Sequence, residues 1–343
     1  PVFTCRDLAA EACSSPGVSR CASLSAKNLP LAAMAQLQAS ADPRPRQAGS
    51  FAVSPVRALE VHRPCLAEYV PELTSILADR EVACELNPDY MKRQRDVDTS
   101  MRAILVDWLV EVHVCCGLRS ETLFLTVYLL DQFLSRWSAK RKHLQLLGVA
   151  ALLIAAKFQH ERHLLSSDLV QLCDQAYTKR DIMRTEVLIL RAVDFRVFAT
   201  TAVDFLNLFQ LTHACPDVQH SLALYLLELS LVEYKMIRYP ASHLAAAAAL
   251  LSAALLRRRP FRAPAGAGRG RGAGRVIKAC AKDMCILLEG AKLRSRQAVA
   301  RKFSRPALHA VAKMAFGPSR LLGSPGRKRP VPGLEREARP EAR

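Results

Sequence analysis

Apolar residues recur at steps of three and four through most of the chain, the spacing of helix faces, and no stretch alternates in the period-two manner of a half-buried strand. Leu66, Val70, Leu73, Ile76 and Leu77 share one such face. They predict a lead-in helix within residues 65–95, with Pro71 in its first turn. Ser100 is the expected N-cap of the next helix, whose stripe runs Met101, Ile104, Leu105, Trp108, Leu109 and Val112. Ala103, Val106 and Val110 extend apolarity around the cylinder and leave a narrow polar strip holding Asp107 and Glu111, one turn apart. A helix this apolar must be covered nearly all round, by its own domain or by a partner. Helices are predicted next over residues 121–135 and 144–158. The latter is a run of Leu, Val, Ala and Ile with Gly148, apolar on every side, so it belongs at the centre of a bundle where small residues let backbones approach. Helical patterns over residues 168–173 and 179–193 complete a set of five.

Beyond residue 200 the chain starts again, with helical patterns over residues 203–211, 221–232, 243–256, 276–288 and 296–303. The third of this set is also the most apolar. The two halves share element order without residue-level identity, which suggests a structural repeat. The expected fold class is therefore all-α, two five-helix bundles in tandem. Residues 1–63 mix Ala, Ser and Pro without a sustained period and are expected to be disordered, because nothing there buries enough surface to offset ordering entropy. With Pro1 in first place, the natural N-terminus is expected upstream.

Charge changes the picture only at one end. The formal net charge is +18, but residues 257–343 hold 23 Lys and Arg against 5 Asp and Glu, which leaves 26 of each sign in residues 1–256. The folded part is neutral, and nucleic acid contact is expected only through the basic tail. Eleven cysteines are scattered along the chain, with no Cys-x-x-Cys pair, a pattern of reduced buried thiols and not of a disulfide framework or zinc site. The apolar stretch of residues 244–256, broken only by Ser252, is too short to span a bilayer, so no membrane partner is expected. No Gly-rich phosphate loop, metal-ligand cluster or paired catalytic carboxylates appear, which argues against an enzyme, a cofactor or a metal.

The block 101–112 (Met-Arg-Ala-Ile-Leu-Val-Asp-Trp-Leu-Val-Glu-Val) resembles the opening helix of the cyclin box in mitotic A- and B-type cyclins. Blocks 121–127, 144–158, 177–179 and 189–195 resemble the rest of a first box, and blocks 225–234 and 298–303 parts of a second that leans towards the B type. The resemblance implies a domain order of disordered residues 1–63, a lead-in helix and first box over 64–198, a second box over 199–316 interrupted at 257–275, and a basic disordered tail over 317–343. It also implies a nuclear and cytoplasmic regulatory subunit that binds and activates a cyclin-dependent kinase, with Lys157 and Glu186 contacting the kinase. A docking surface for Arg-x-Leu substrates or inhibitors would comprise Met101, Ile104, Leu105, Trp108, Glu111, Leu144 and Gln145. There an apolar shelf accepts Leu and Glu111 pairs with Arg. Arg102 and Asp131 match a pair that ties the first helix to the second, a structural role.

Two stretches depart from the family pattern. After Lys157 the chain reads Phe158-Gln-His-Glu-Arg-His, without the acidic pair and prolines usual there, and His160 and His163 are expected as exposed loop residues. Residues 257–275 hold seven Arg, five Gly and two Pro, an Arg/Gly-rich insert that cannot pack. That insert and the basic tail motivate a second reading, a cyclin-fold nucleic-acid-binding or transcription adaptor.

Overall fold

The structure, a computed structural model, describes residues 63–159, 164–212, 215–258, 272–291, 293 and 295–316. The expected disordered ends, the basic tail, His160, His163 and most of the Arg/Gly-rich insert lie outside the described residues. Within them every regular element is helical: α1 (Arg63–Ala83), α2 (Thr99–Cys116), α3 (Ser120–Arg136), α4 (Leu144–Phe158), α5 (Ser166–Leu172), α6 (Lys179–Ala192), α7 (Ala202–Thr212), α8 (Asp217–Val232), α9 (Ala241–Leu255), α10 (Ala273–Gly290) and α11 (Ala298–Phe303). Short 3-10 turns at Tyr90–Arg93 and Tyr234–Arg238 join them.

Two expectations at helix starts are corrected. Asp98, not Ser100, caps α2: it sits in extended backbone and its carboxylate accepts the Met101 N–H at 2.8 Å. Pro71 lies inside α1, because the helix begins at Arg63 and runs through it. At the other end α2 stops at Gly117, whose φ of 64° suits a residue without Cβ. The remaining boundaries fall within about a turn of where the apolar spacing put them.

The first bundle, α2–α6, is built around α4, which packs on α2, α3 and α6. Only Gln145, Lys157 and Phe158 escape burial on that helix. Gly148 lets α2 pack close: a Cβ there would lie 2.9 Å from Leu105 Cδ1, so the end of that side chain would have to shift. The second bundle, α7–α11, repeats the plan with α9 packed on α7, α8 and α10. The all-α tandem expected from periodicity is therefore observed.

The bundles are joined by buried polar contacts as well as apolar packing. Lead-in helix α1 packs on α7, and its Glu81 caps α9 by accepting the Ser242 N–H at 2.7 Å and the Ser242 hydroxyl at 2.8 Å. Arg102 on α2 grips Asp131 on α3 with two hydrogen bonds, Nε to Oδ1 at 2.7 Å and Nη2 to Oδ2 at 2.6 Å. Its remaining arm reaches the Leu231 carbonyl at the end of α8, at 3.1 Å. Tyr90 donates its hydroxyl to Asp131 at 2.7 Å and stacks edge-on against Tyr234, whose own hydroxyl donates to the Pro88 carbonyl at 2.6 Å. Arg102 and Asp131 thus tie together both bundles and the lead-in segment, beyond the two helices the resemblance implied.

Candidate functional site

Two surfaces gather the predicted residues. The first lies where α4 and α6 run side by side. Lys157, in the last turn of α4, puts its ammonium 2.6 Å from Glu186 Oε1 on α6, with side chains 59% and 14% exposed. An ion pair in this setting contributes about 0–1 kcal/mol to stability. It is not what holds the fold together. The buried stripe of α6 is Ile182, Thr185, Ile189 and Ala192. Met183 and Val187 fall off that stripe beside Glu186 and stay exposed, as do Phe158 next to Lys157 and Leu165 ahead of α5. The surface is therefore a fixed cation–anion pair on two rigid helices whose neighbours are large exposed apolar side chains. Such a combination suits a protein partner that desolvates it. Met183 and Val187 were not singled out in the sequence. Their only signal is that two apolar residues flank a glutamate off the core stripe.

The second surface lies on α2 and the first turn of α4. Met101, Ile104, Trp108 and Glu111 are part-exposed along one line of α2, and Gln145 is part-exposed beside them. Leu105 and Leu144 are fully buried and cannot be touched by a ligand, which corrects their place in the surface. Leu105 sits on the inward part of the α2 arc, against Gly148 of α4, and Leu144 is buried in the first turn of α4. Nor is the Asp107–Glu111 strip unpartnered: Asp107 is buried and Glu111 only part-exposed. Asp107 Oδ1 accepts the Ala298 N–H at 3.1 Å, and Glu111 is ion-paired with Arg301, both from α11. Burial raises the Asp107 pKa, and the Ala298 hydrogen bond and the nearby Arg301 and Arg296 charges pull it back.

Beneath this surface lies a buried polar cluster that the sequence did not show. Lys302 on α11 is ion-paired with the fully buried Glu228 on α8, and the Ser120 hydroxyl donates to Glu228 at 3.2 Å. His113 on α2 is buried, and burial, then the Lys302 charge, hold its pKa well below 6.5, outweighing the neighbouring backbone groups of Arg119, Val110 and Leu118 that pull it up. The fold therefore keeps His113 neutral. As pH falls below 6.5 the unfolded chain takes up a proton the folded chain refuses, so stability is present above that pH and lost below it. Between pH 6.5 and 5.5 wild type is expected to lose about 1 kcal/mol more than His113→Phe in urea denaturation. Parallel losses in the two proteins would mean that His113 is not held neutral.

No group of three or more His, Cys, Asp or Glu among the described residues could hold a metal ion, and no described helix is long and apolar enough to cross a membrane. Cys173 and Cys280 are buried, which pushes their pKa up to about 12.

Residues 72–198 match the family "Cyclin, N-terminal domain", and residues 200–316 match "Cyclin, C-terminal domain". Together they take up the larger part of the chain. The chain belongs to the cyclin family. Among curated relatives, this cyclin is 46% identical over 182 residues to Cyclin-B2-1 of Oryza sativa subsp. japonica, covering 53% of the chain and 43% of the relative. It is 42% identical over 183 residues to G2/mitotic-specific cyclin-1 of Medicago sativa subsp. varia, with the same coverage, and 42% identical over 181 residues to Cyclin-B2-2 of Arabidopsis thaliana, covering 53% and 42%. The chain thus spans less than half the length of these relatives. A solved viral cyclin from herpesvirus saimiri shares the fold, with a TM-score of 0.51 and 19% identity over 70% of this chain and 95% of that one. These matches lend no support to the nucleic-acid adaptor reading.

Proposed function

We propose that this cyclin is a non-catalytic regulatory subunit that binds a cyclin-dependent serine/threonine kinase, activates it during mitosis and recruits Arg-x-Leu substrates. The observation that carries the kinase reading is the Lys157–Glu186 pair with its apolar neighbours. Its charges contribute little to folding, yet they are held at 2.6 Å on two rigid helices beside exposed Phe158, Met183 and Val187. Names of relatives such as G2/mitotic-specific cyclin support the mitotic setting. In the complex the apolar side chains supply buried area, and Lys157 and Glu186 orient the kinase element that meets them. Binding then shifts the kinase towards its competent state by the difference in affinity for its two states. A nuclear and cytoplasmic location follows from the same proposal. Adding the full chain to a cyclin-free cyclin-dependent kinase should raise phosphate transfer to histone by orders of magnitude. No rise with any such kinase that captures the chain would overturn activation.

The docking part rests on Met101, Ile104, Trp108, Glu111 and Gln145, the part-exposed members of the second surface. Trp108 offers the broadest face and one N–H donor, so Trp108→Ala should lower kcat/KM for an Arg-x-Leu substrate about tenfold while sparing a short peptide without the motif. Equal loss on both substrates would point to damage to the bundle.

A further inference from the structure

The second bundle reaches into the docking surface of the first. Asp107 caps the start of α11 through the Ala298 N–H, and Lys302 turns inward to Glu228, so two buried carboxylates hold α11, one from α2 and one from α8. One turn along each helix from the Asp107–Ala298 contact, Arg301 meets Glu111. The Arg301 side chain is 60% exposed, at the rim where an incoming ligand would pass.

We infer that Arg301 is a specificity-determining residue of the docking surface, occupying from within the chain the carboxylate that a ligand arginine would need. The inference rests on the docking reading above. A ligand cation must share the Glu111 carboxylate with Arg301 or displace it, and in either case it meets a like charge already in place. The apolar shelf of Met101, Ile104 and Trp108 is untouched by this contact. Leucine recognition therefore remains, and the ligands favoured are leucine-bearing peptides whose arginine position tolerates a neutral side chain. Adjacent residues on one short helix divide the work, Lys302 holding the joint and Arg301 guarding the surface.

Fluorescence anisotropy with the full chain tests this, using a labelled peptide that carries Arg-x-Leu and its Ala-x-Leu counterpart. Wild type should prefer the arginine peptide by no more than about twofold, Arg301→Lys likewise, and Arg301→Gln by about fivefold to tenfold. Adding Glu111→Gln to Arg301→Gln should remove the gain, which a merely structural effect of position 301 would not do. Equal helical circular dichroism of the variants shows that they fold, as expected for an exposed side chain. If wild type already prefers the arginine peptide strongly through Glu111 and Arg301→Gln changes nothing, the inference fails and the docking reading stands. If no variant binds either peptide, the docking reading fails and takes the inference with it.

Discussion

Arg102→Ala is expected to cost the folded chain about 3–5 kcal/mol in urea or guanidinium denaturation, the loss that follows when one partner of a buried ion pair is removed. Arg102 and Asp131 are 1% and 3% exposed, so the Asp131 carboxylate left behind would be buried, with the Tyr90 hydroxyl as its remaining side-chain donor among the described residues. Burial by itself disfavours the Arg102 charge, but the carboxylate facing it outweighs that and raises its pKa. Burial, with the Asp131 charge, likewise raises the Tyr90 pKa, so its hydroxyl stays protonated and can donate. The carbonyls of Leu231 and Val232 lose their donor as well, so the damage spans both bundles. Tyr90→Phe should cost about 1–3 kcal/mol, since it removes one hydrogen bond from the same carboxylate. Because the three groups share partners, Arg102→Ala with Asp131→Ala should cost less than the two single changes added. A loss under about 1 kcal/mol for Arg102→Ala would show that the joint between the bundles does not depend on it.

Much of this architecture was legible in the apolar spacing. The run of α4 could only be a central helix, and Gly148 within it marks the approach of α2, which Leu105 fills. Helix-by-helix the two bundles could be counted. What spacing cannot resolve is which part of an apolar arc is covered. On α2 Leu105 is buried while its neighbour Ile104 is part-exposed, and on α4 Leu144 is buried while Gln145 is part-exposed, so one step along a helix, about 100° of rotation, separates floor from surface. Nor can it see across the chain. Asp107 and Glu111 have the look of a solvated strip until α11, nearly two hundred residues later, lays Ala298 and Arg301 over them. The same distance hides His113, Glu228 and Lys302, each unremarkable alone and significant only together. Ser100 was the natural N-cap by residue type, yet Asp98 takes the role because its extended backbone aims the carboxylate at the free Met101 N–H. Arg102, Asp131, Lys157 and Glu186 came from the family resemblance and not from periodicity. Geometry adds what each touches: a deep joint for the first pair, an open surface for the second.

That difference in setting makes Lys157 the better place to test function. Reversing its charge breaks one exposed pair, a cost of about 0–1 kcal/mol to folding, and sets a second carboxylate beside Glu186. In a complex that buries this surface, the same change leaves two like charges facing each other away from water, where losing one partner of a charge pair costs about 2–5 kcal/mol. Lys157→Glu should therefore fold normally and bind its kinase at least about thirtyfold more weakly, by the conversion of about 2 kcal/mol. Met183→Ala, which removes the apolar neighbour of Glu186 and adds no charge beside the pair, should weaken binding as well. Lys282→Glu, an exposed cation on α10, serves as the control. The decisive measurement is the Kd of a cyclin-dependent kinase for the full chain by titration calorimetry. Lys157→Glu should weaken binding at least about thirtyfold and Lys282→Glu not at all; equal Kd for wild type and Lys157→Glu would mean that the kinase does not bind at the Lys157–Glu186 surface.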